Sequence, residues 1–425
     1  MKELNVSTRD IIGTSIPHPD GPRHVTGQTF YSADIHMPNM LYCKIKMSDR
    51  AHAKITRLDV SKAEALPGVA AVVTAKDLKN NAFGVTFKDE PHFATDKVRQ
   101  FCDYIAAVAA ETLEIAEQAV ALIEVDYEDL PVLTDPEEAM KPDACIIHKG
   151  DTNIAFHRHI SNGDVEEGFA QSDYIIEQSL STPSVEHAFL EPHAAIAHVD
   201  PSGDLVIYSS MQRLFEIPEI TARAVGWPVS KVRGIVPALG GAFGGKNDTT
   251  IEPAVAALTL KTGRPVKCEY TREDEFNAST VRHAYRIQYK TGITKEGKIM
   301  ARQVRIVSDN GAYTTWGVGT ISKACIFSCG PYDIPNMKVD GYLVYTNNPV
   351  GGAMRGFGVT QLGFAYEAHT NYCAEQIGMD PIEFRRINFM KDHSKLPTAM
   401  SIPIVTVEEC LDKAINLAKE GGDWA

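Results

Sequence analysis

Gly240-Gly241-Ala242-Phe243-Gly244-Gly245-Lys246 and Gly351-Gly352-Ala353-Met354-Arg355-Gly356-Phe357-Gly358 are the two stretches on which the reading of this chain turns. Each sets a bulky ring among glycines, which let a backbone take positive φ, approach a large ligand closely and present successive N–H donors. Loops of this kind suit a polyanionic cofactor. The first also fits the opening of a nucleotide P-loop, G-x-x-x-x-G-K, but Asn247 stands where a Ser or Thr hydroxyl would reach magnesium. A nucleotide triphosphatase and a tight turn without a ligand therefore remain open here. In the second loop Arg355 and Phe357 pair a fixed positive fork with a flat apolar ring, which suits an anionic planar molecule or a cofactor edge. The competing reading pairs Arg355 with an acidic neighbour and packs Phe357 in a core. Gln212, just after an apparent strand at 205–209, is ordinary in isolation.

On either side of these loops the chain divides by pattern, and residues 1–135 read as one α/β module. Leu41-Tyr42-Cys43-Lys44-Ile45-Lys46-Met47 alternates as a half-buried strand does, and Val69-Ala70-Ala71-Val72-Val73-Thr74 reads as a more buried one. A short helix at 61–66 stops at Pro67-Gly68, and a longer one at 111–122 hands over to a strand at 123–127. Residues 136–163 have no sustained apolar period and carry Pro136, Pro142 and Gly150, the composition of a surface connection. The remainder, 164–425, mixes strands near 194–199, 204–209, 231–237 and 298–308 with helices near 217–226, 253–261 and 361–377. Lys295-Glu296-Gly297-Lys298 reads as a hairpin turn. A final amphipathic helix at 407–419 close to the last residue leads to the expectation of further protein beyond it.

A length of 425 residues allows sizeable cores, and 44% hydrophobic with 23% charged residues is ordinary for a globular protein. A formal charge of −13 argues against nucleic acid or an anionic membrane as the main partner, since both need a basic footprint. The eight cysteines include no C-x-x-C pair or clustered zinc or iron–sulfur spacing, so any iron–sulfur cluster is expected on another chain. The start, Met1-Lys2-Glu3-Leu4-Asn5, has no signal pattern, and no apolar run reaches membrane-span length. The expectation is a cytoplasmic protein with reduced thiols.

Taken in order, these segments resemble the molybdenum hydroxylases, the xanthine dehydrogenase and aldehyde oxidoreductase family. Val25-Thr26-Gly27, Ala51-His52-Ala53-Lys54-Ile55, Leu66-Pro67-Gly68-Val69 and Tyr127-Glu128-Asp129-Leu130-Pro131 match the family's first domain. Gly163-Asp164-Val165, Leu190-Glu191-Pro192-His193, Asp309-Asn310-Gly311-Ala312-Tyr313, Gly378-Met379-Asp380-Pro381 and both glycine loops match its second. The resemblance implies an α/β (α+β) fold, with an N-terminal α/β-hammerhead domain followed by the N-terminal half of a molybdopterin-binding domain. One departure lies at 98–105, where the family usually shows a Gly-Gln-Pro stretch.

By that similarity Gln212 matches the glutamine that hydrogen-bonds an oxo ligand of molybdenum. Gly241, Ala242 and Phe243 match the loop beside the metal and pterin, Arg355 an arginine against the same centre, and Phe357 the ring that packs on an aromatic substrate. The metal is expected on the pterin dithiolene, with no direct protein ligand. The implied chemistry is hydroxylation with water as the oxygen source. The family's general base is a glutamate in the C-terminal half of the molybdenum region. This chain is expected to end before that half, so a second molybdopterin subunit must carry the glutamate.

Such a division resembles the nicotinate-hydroxylating members of the family. Asn247 stands where purine-oxidising members carry a glutamate, and Lys323 roughly where they carry a substrate-binding arginine. Both fit an anionic ring, although drift at a pocket rim explains them as well. The resemblance thus implies hydroxylation of an N-heteroaromatic carboxylate, nicotinate to 6-hydroxynicotinate. The implied cofactor is molybdopterin cytosine dinucleotide, its molybdenum carrying a sulfido or selenido ligand. Electrons are expected to pass to NADP through [2Fe-2S] and FAD on partner subunits. Purine or aldehyde hydroxylation at the same site, and a non-catalytic assembly subunit, are the alternatives.

Overall fold

The strand Leu41–Met47 buries Leu41, Cys43 and Ile45 on one face, as its period-two sequence requires. The computed structural model, which describes residues 12–421, places it inside a seven-stranded mixed sheet. The order is Val232–Ile235, Leu205–Ser209, Ala194–Val199, Val266–Glu269, Leu41–Met47, Tyr104–Ala110 and Val69–Thr74. Leu41–Met47 runs parallel to Val266–Glu269, with Leu41 opposite Val266, and antiparallel to Tyr104–Ala110. Strands from both sides of the 136–163 segment thus share one sheet and one core. In that core Leu41, Val73 and Ala107 meet Ala195, Leu205, Val255 and Leu258. The start at 1–5 and the end at 422–425 lie outside the described residues.

A second, five-stranded sheet runs Tyr174–Thr182, Tyr285–Ile293, Ile299–Gly311, Asn336–Tyr345 and Ile154–Asn162. The 295–298 turn joins its antiparallel pair Tyr285–Ile293 and Ile299–Gly311, as its residues predict. Helix Val359–Gln376 lays Leu362, Ala365 and Cys373 into the same core as Tyr285, Ile306 and Leu343.

Helices Leu113–Leu122, Glu216–Val225 and Glu252–Thr262 begin and end within two residues of their expected limits. The first is capped by Thr112, whose hydroxyl accepts from the Ile115 amide. The segment 136–163 needs correction. It contains the helix Pro136–Ala139 and the nine-residue strand Ile154–Asn162, an edge strand paired with Asn336–Tyr345. Its apolar signal is hidden because His157, Arg158 and His159 face solvent at the sheet edge, where His157 and His159 share Asp340 Oδ1 at 3.0 and 2.8 Å. The last helix, Val407–Gly421, has no buried residue, with only Val407 and Leu411 resting against the second core.

Candidate active site

The first glycine loop follows the edge strand Val232–Ile235, and the second leads into helix Val359–Gln376. They touch each other. The Arg355 amide donates to the Phe243 carbonyl at 2.9 Å. A Cβ on Gly244 would lie 2.5 Å from the Ala353 carbonyl oxygen, so only glycine permits this approach.

Their backbones repeat one device. Phe243 (φ 51°) stands between Gly241 (99°) and Gly244 (108°), and Phe357 (53°) between Gly356 (97°) and Gly358 (92°). A bulky residue in the left-handed region is strained, and such strain persists where its surroundings enforce it, commonly at binding sites. Here it turns the Phe243 ring outward, leaving it 48% exposed, while Ala242 is buried beneath.

What enforces the first loop is Glu191. Its Oε2 accepts from the Gly240 amide at 2.7 Å and from Lys246 Nζ at 2.8 Å, clasping both ends. The Lys246 side chain is fully buried, and its ammonium lies 4.7 Å over the Phe189 ring. Burial pulls Lys246 below the ordinary lysine range, against Glu191, which holds the charge. A lysine committed in this way has no charge to offer a nucleotide phosphate, which removes the P-loop reading. Beside it, His193 Nδ1 and the buried Glu275 meet at 2.8 Å.

Gln212 sits at the foot of the loop, with its amide donating to the Lys246 carbonyl at 2.7 Å. Its Oε1 accepts from the Gly244 amide at 3.0 Å. Gln212 itself is exposed, and with the oxygen engaged its carboxamide N–H groups have no hydrogen-bond partner among the described residues, which leaves them free as donors. Arg355 is exposed, and its guanidinium has no partner among the described residues, while its carbonyl is held by Arg282 Nη2 at 2.9 Å.

Phe357 meets Trp316 edge to face at 6.0 Å, and Arg213 lies 4.7 Å over the Trp316 ring. A Cβ on Gly319 would come within 2.8 Å of Phe357, which docks that ring against helix Gly317–Ile326. Lys323, one turn on from Gly319 and so on the same helix face, is exposed. Asn247 is half-buried next to the buried Asp248, whose carboxyl is pushed up to about 7 by burial and then by Glu216.

The two loops and Gln212 therefore form one surface. Phe357 joins it against the Gly317–Ile326 helix, while Lys323, one turn further along that helix, makes no polar contact with either loop among the described residues. Glu191, Trp316, Arg213 and Arg282 support it and carried no assigned role in the sequence. Only the quoted Leu190-Glu191-Pro192-His193 motif pointed at any of them. An unpartnered amide donor, an unpaired guanidinium, a glycine cradle and the exposed Phe243 ring fit a group with anionic oxygens and a flat face.

Comparison with known proteins identifies the family of the chain. A family model described as molybdopterin cofactor-binding domain covers residues 147–389, and one for the aldehyde oxidase and xanthine dehydrogenase a/b hammerhead domain covers 26–131. The chain belongs to the molybdenum hydroxylase family, with the hammerhead domain preceding the molybdopterin-binding one.

The nicotinate dehydrogenase large molybdopterin subunit of Eubacterium barkeri is 38% identical over 96% of this chain and 97% of its own length. A Bacillus subtilis (strain 168) protein, named as a probable subunit of xanthine dehydrogenase, is 41% identical over 89% of this chain and 51% of its own. The solved aldehyde oxidoreductase of Desulfovibrio gigas superposes with a TM-score of 0.93 at 29% identity, over 97% of this chain and 47% of that one. The chain thus spans about half the length of the Bacillus and Desulfovibrio proteins. Among the described residues no helix is long and apolar enough to cross a membrane.

Proposed function

We propose that this chain is the large molybdopterin-binding subunit of a heteromeric cytoplasmic dehydrogenase. It hydroxylates an N-heteroaromatic carboxylate, nicotinate to 6-hydroxynicotinate. The observation that supports the reading is the exposed Gln212 carboxamide, whose oxygen is held by the Gly244 amide of the loop that presents Phe243, leaving its N–H donors without a protein partner among the described residues. Gln212, Gly241, Ala242, Phe243 and Arg355 hold molybdopterin cytosine dinucleotide. When bound, that cofactor, with a sulfido or selenido ligand on molybdenum, supplies the two-electron exchange of a ring C–H for C–OH with water as oxygen source.

The remaining work falls to side chains. Gln212 donates to an anionic oxygen of the cofactor and orients it without exchanging a proton. Phe357, steadied by Trp316, stacks on the ring of the substrate. Lys323 attracts its carboxylate, and Asn247 removes the repulsion that a glutamate there would exert. At about 4 Å and an effective dielectric near 20 that repulsion is about 4 kcal/mol. The proton acceptor is a glutamate of a second molybdopterin subunit. Electrons leave through [2Fe-2S] and FAD subunits to NADP.

A purine reading draws on the Bacillus relative's name. The residue at 247 distinguishes the two, because a neutral purine gains nothing from Asn in place of Glu. The test is to purify the chain with its co-expressed neighbours, assay molybdenum and released nucleotide, and compare turnover of nicotinate, xanthine and aldehydes. Nicotinate-selective turnover supports the proposal. A molybdenum-loaded assembly inert toward every N-heterocycle overturns it.

A further inference from the structure

Next to the glycine loops lies a cavity of about 40 Å³. Asp248, Thr249 and Thr250, which continue directly from the first loop, form one wall. Thr280 stands beside them, packed so closely on Gly352 of the second loop that a Cβ there would lie 2.5 Å from its hydroxyl oxygen. The opposite wall comes from the N-terminal domain: Glu90, His92, Gln100, Cys102 and Asp103. Gln100, Cys102 and Asp103 belong to the 98–105 stretch that departs from the family pattern, a feature the cofactor site leaves without a role.

The lining mixes apolar side chains such as Phe83 and Val350 with polar ones that lack partners. Asp248 Oδ2, Glu90 Oε2, His92 Nδ1, Thr250 Oγ1 and Thr280 Oγ1 are sealed from solvent and have no hydrogen-bond partner among the described residues. Asp248 is 7% exposed and His92 5%. Buried polar atoms are nearly always paired, with protein or with ordered water. A cavity needs only about 10–15 Å³ to hold one water, and such a water makes about three hydrogen bonds. The cavity exceeds that volume, and five partnerless polar atoms belong to residues that line it. Among the described residues no three His, Cys, Asp or Glu side chains are placed to share a metal ion, so water is the occupant that fits.

Glu90 has a second face. It also lines an open cleft of about 590 Å³ with Asp89, Asp96, Arg99 and Lys149. There Asp89 Oδ2 accepts from the Tyr345 hydroxyl at 2.7 Å. Glu90 and its neighbour Pro91 thus line both the cavity and the cleft.

We propose that this cavity is a water-filled proton path, through which protons released by ring hydroxylation leave by way of Asp248, cavity water and Glu90 into the cleft. The inference rests on the hydroxylation reading above. Converting a ring C–H and one water to C–OH releases two protons and two electrons. The electrons pass to the iron–sulfur and flavin carriers, and the protons need a separate exit. At each step one O–H bond breaks as the next forms, and both carboxyls end as they began.

The surroundings suit that task. Burial first, then Glu216, pushes Asp248 up to about 7, while Trp316, Arg213 and His193 oppose the shift. Burial raises Glu90, and Asp248, Asp89 and Asp103 add to it. Burial also raises Asp103, against its bonds to the Arg99 and Gln100 amides and the Tyr313 hydroxyl. A carboxyl that titrates near neutrality both takes and gives protons efficiently. His92, kept neutral by burial at about 3, contributes a ring nitrogen without charge.

The test compares wild type with Glu90→Gln and Glu90→Asp in the assembled holoenzyme, and records infrared spectra of the substrate-free protein. Glu90→Gln is expected to lower kcat on the order of tenfold, enlarge its solvent isotope effect and leave KM unchanged. Glu90→Asp is expected to restore most of the rate. In the infrared, Glu90→Gln and Asp248→Asn should each remove a protonated-carboxyl carbonyl band, one that shifts promptly in heavy water in the wild type. A folded, cofactor-loaded Glu90→Gln with unchanged kcat and isotope effect overturns the path. So does a carboxyl band that exchanges as slowly as the buried amides. If the wild type hydroxylated no heteroaromatic ring, the functional reading alone would fall, and the infrared exchange would still decide whether the cavity carries protons.

Discussion

Replacing Glu191 by Gln removes the charge that clasps the first glycine loop while keeping the side chain's volume. Lys246 is fully buried, so its ammonium would be left without its counter-charge, a change that costs about 3–5 kcal/mol in comparable buried pairs. The Gly240 amide loses a charged acceptor in the same step. The loss should be local, because both donors belong to the loop that carries Phe243 and the Gly244 amide. Hydrogen exchange of peptides covering 240–247 is the assay, and at 1.36 kcal/mol per decade the expected acceleration is about 10²-fold to 10⁴-fold.

Two further results distinguish a lost ion pair from general damage. With Lys246 driven further below its ordinary value, the unfolded chain binds more protons than the folded one, so the defect should shrink as pH rises toward 10. Adding Lys246→Met should recover most of the stability, because well-packed apolar groups replace a buried pair at little cost. Exchange within about threefold of wild type, well under one decade, or a double variant as weak as Glu191→Gln, would refute the reasoning.

Other expectations follow from the same geometry. Gln212→Ala should reduce kcat by about 10²-fold to 10³-fold, the usual effect of deleting one preorganised donor, with molybdenum content retained; unchanged kcat would favour the non-catalytic assembly reading. Asn247→Glu should raise KM for nicotinate by about 10³-fold, from about 4 kcal/mol of repulsion, and spare substrates without a carboxylate. Equal effects on nicotinate and a neutral purine would remove both 247 and the charge argument from substrate selection. For Asp248 the folded pKa of about 7 lies above the ordinary 3.8, so its contribution is fully present below 3.8 and lost as pH rises through 7. Stability should fall across that window by on the order of 4 kcal/mol, and Asp248→Asn should flatten the slope in pH-dependent denaturation.

Much of the fold was legible because its signals are local. The alternation of Leu41–Met47, the Thr112 cap and the 295–298 turn each act within a few residues. The sharing of one sheet across the 136–163 segment was not legible, since Leu41 and Val266 are paired by topology rather than by neighbouring sequence. Strand Ile154–Asn162 escaped because an exposed edge does not need the apolar alternation that marks buried strands.

The site divides in the same way. The glycines, Phe243, Arg355 and Phe357 announce themselves as a motif, and the backbone repeat of positive φ around each ring gives that motif its physical cause. The ion pair that holds the loop spans 55 residues, and the Phe357–Trp316 contact joins two separate elements. Lys246 shows the risk most clearly. In sequence it completes a phosphate-binding pattern, while in the structure its charge is already engaged by Glu191.

The proposed division of the site gives this chain one face of a molybdenum centre and leaves the proton acceptor to a second polypeptide. Turnover of nicotinate in water labelled with heavy oxygen, by the cofactor-loaded chain alone and after addition of the second molybdopterin subunit, puts that division to the test. The prediction is a single labelled oxygen in 6-hydroxynicotinate, formed only when the second subunit is present and carries its glutamate. Full activity of the chain by itself, or label entering from molecular oxygen, would contradict it.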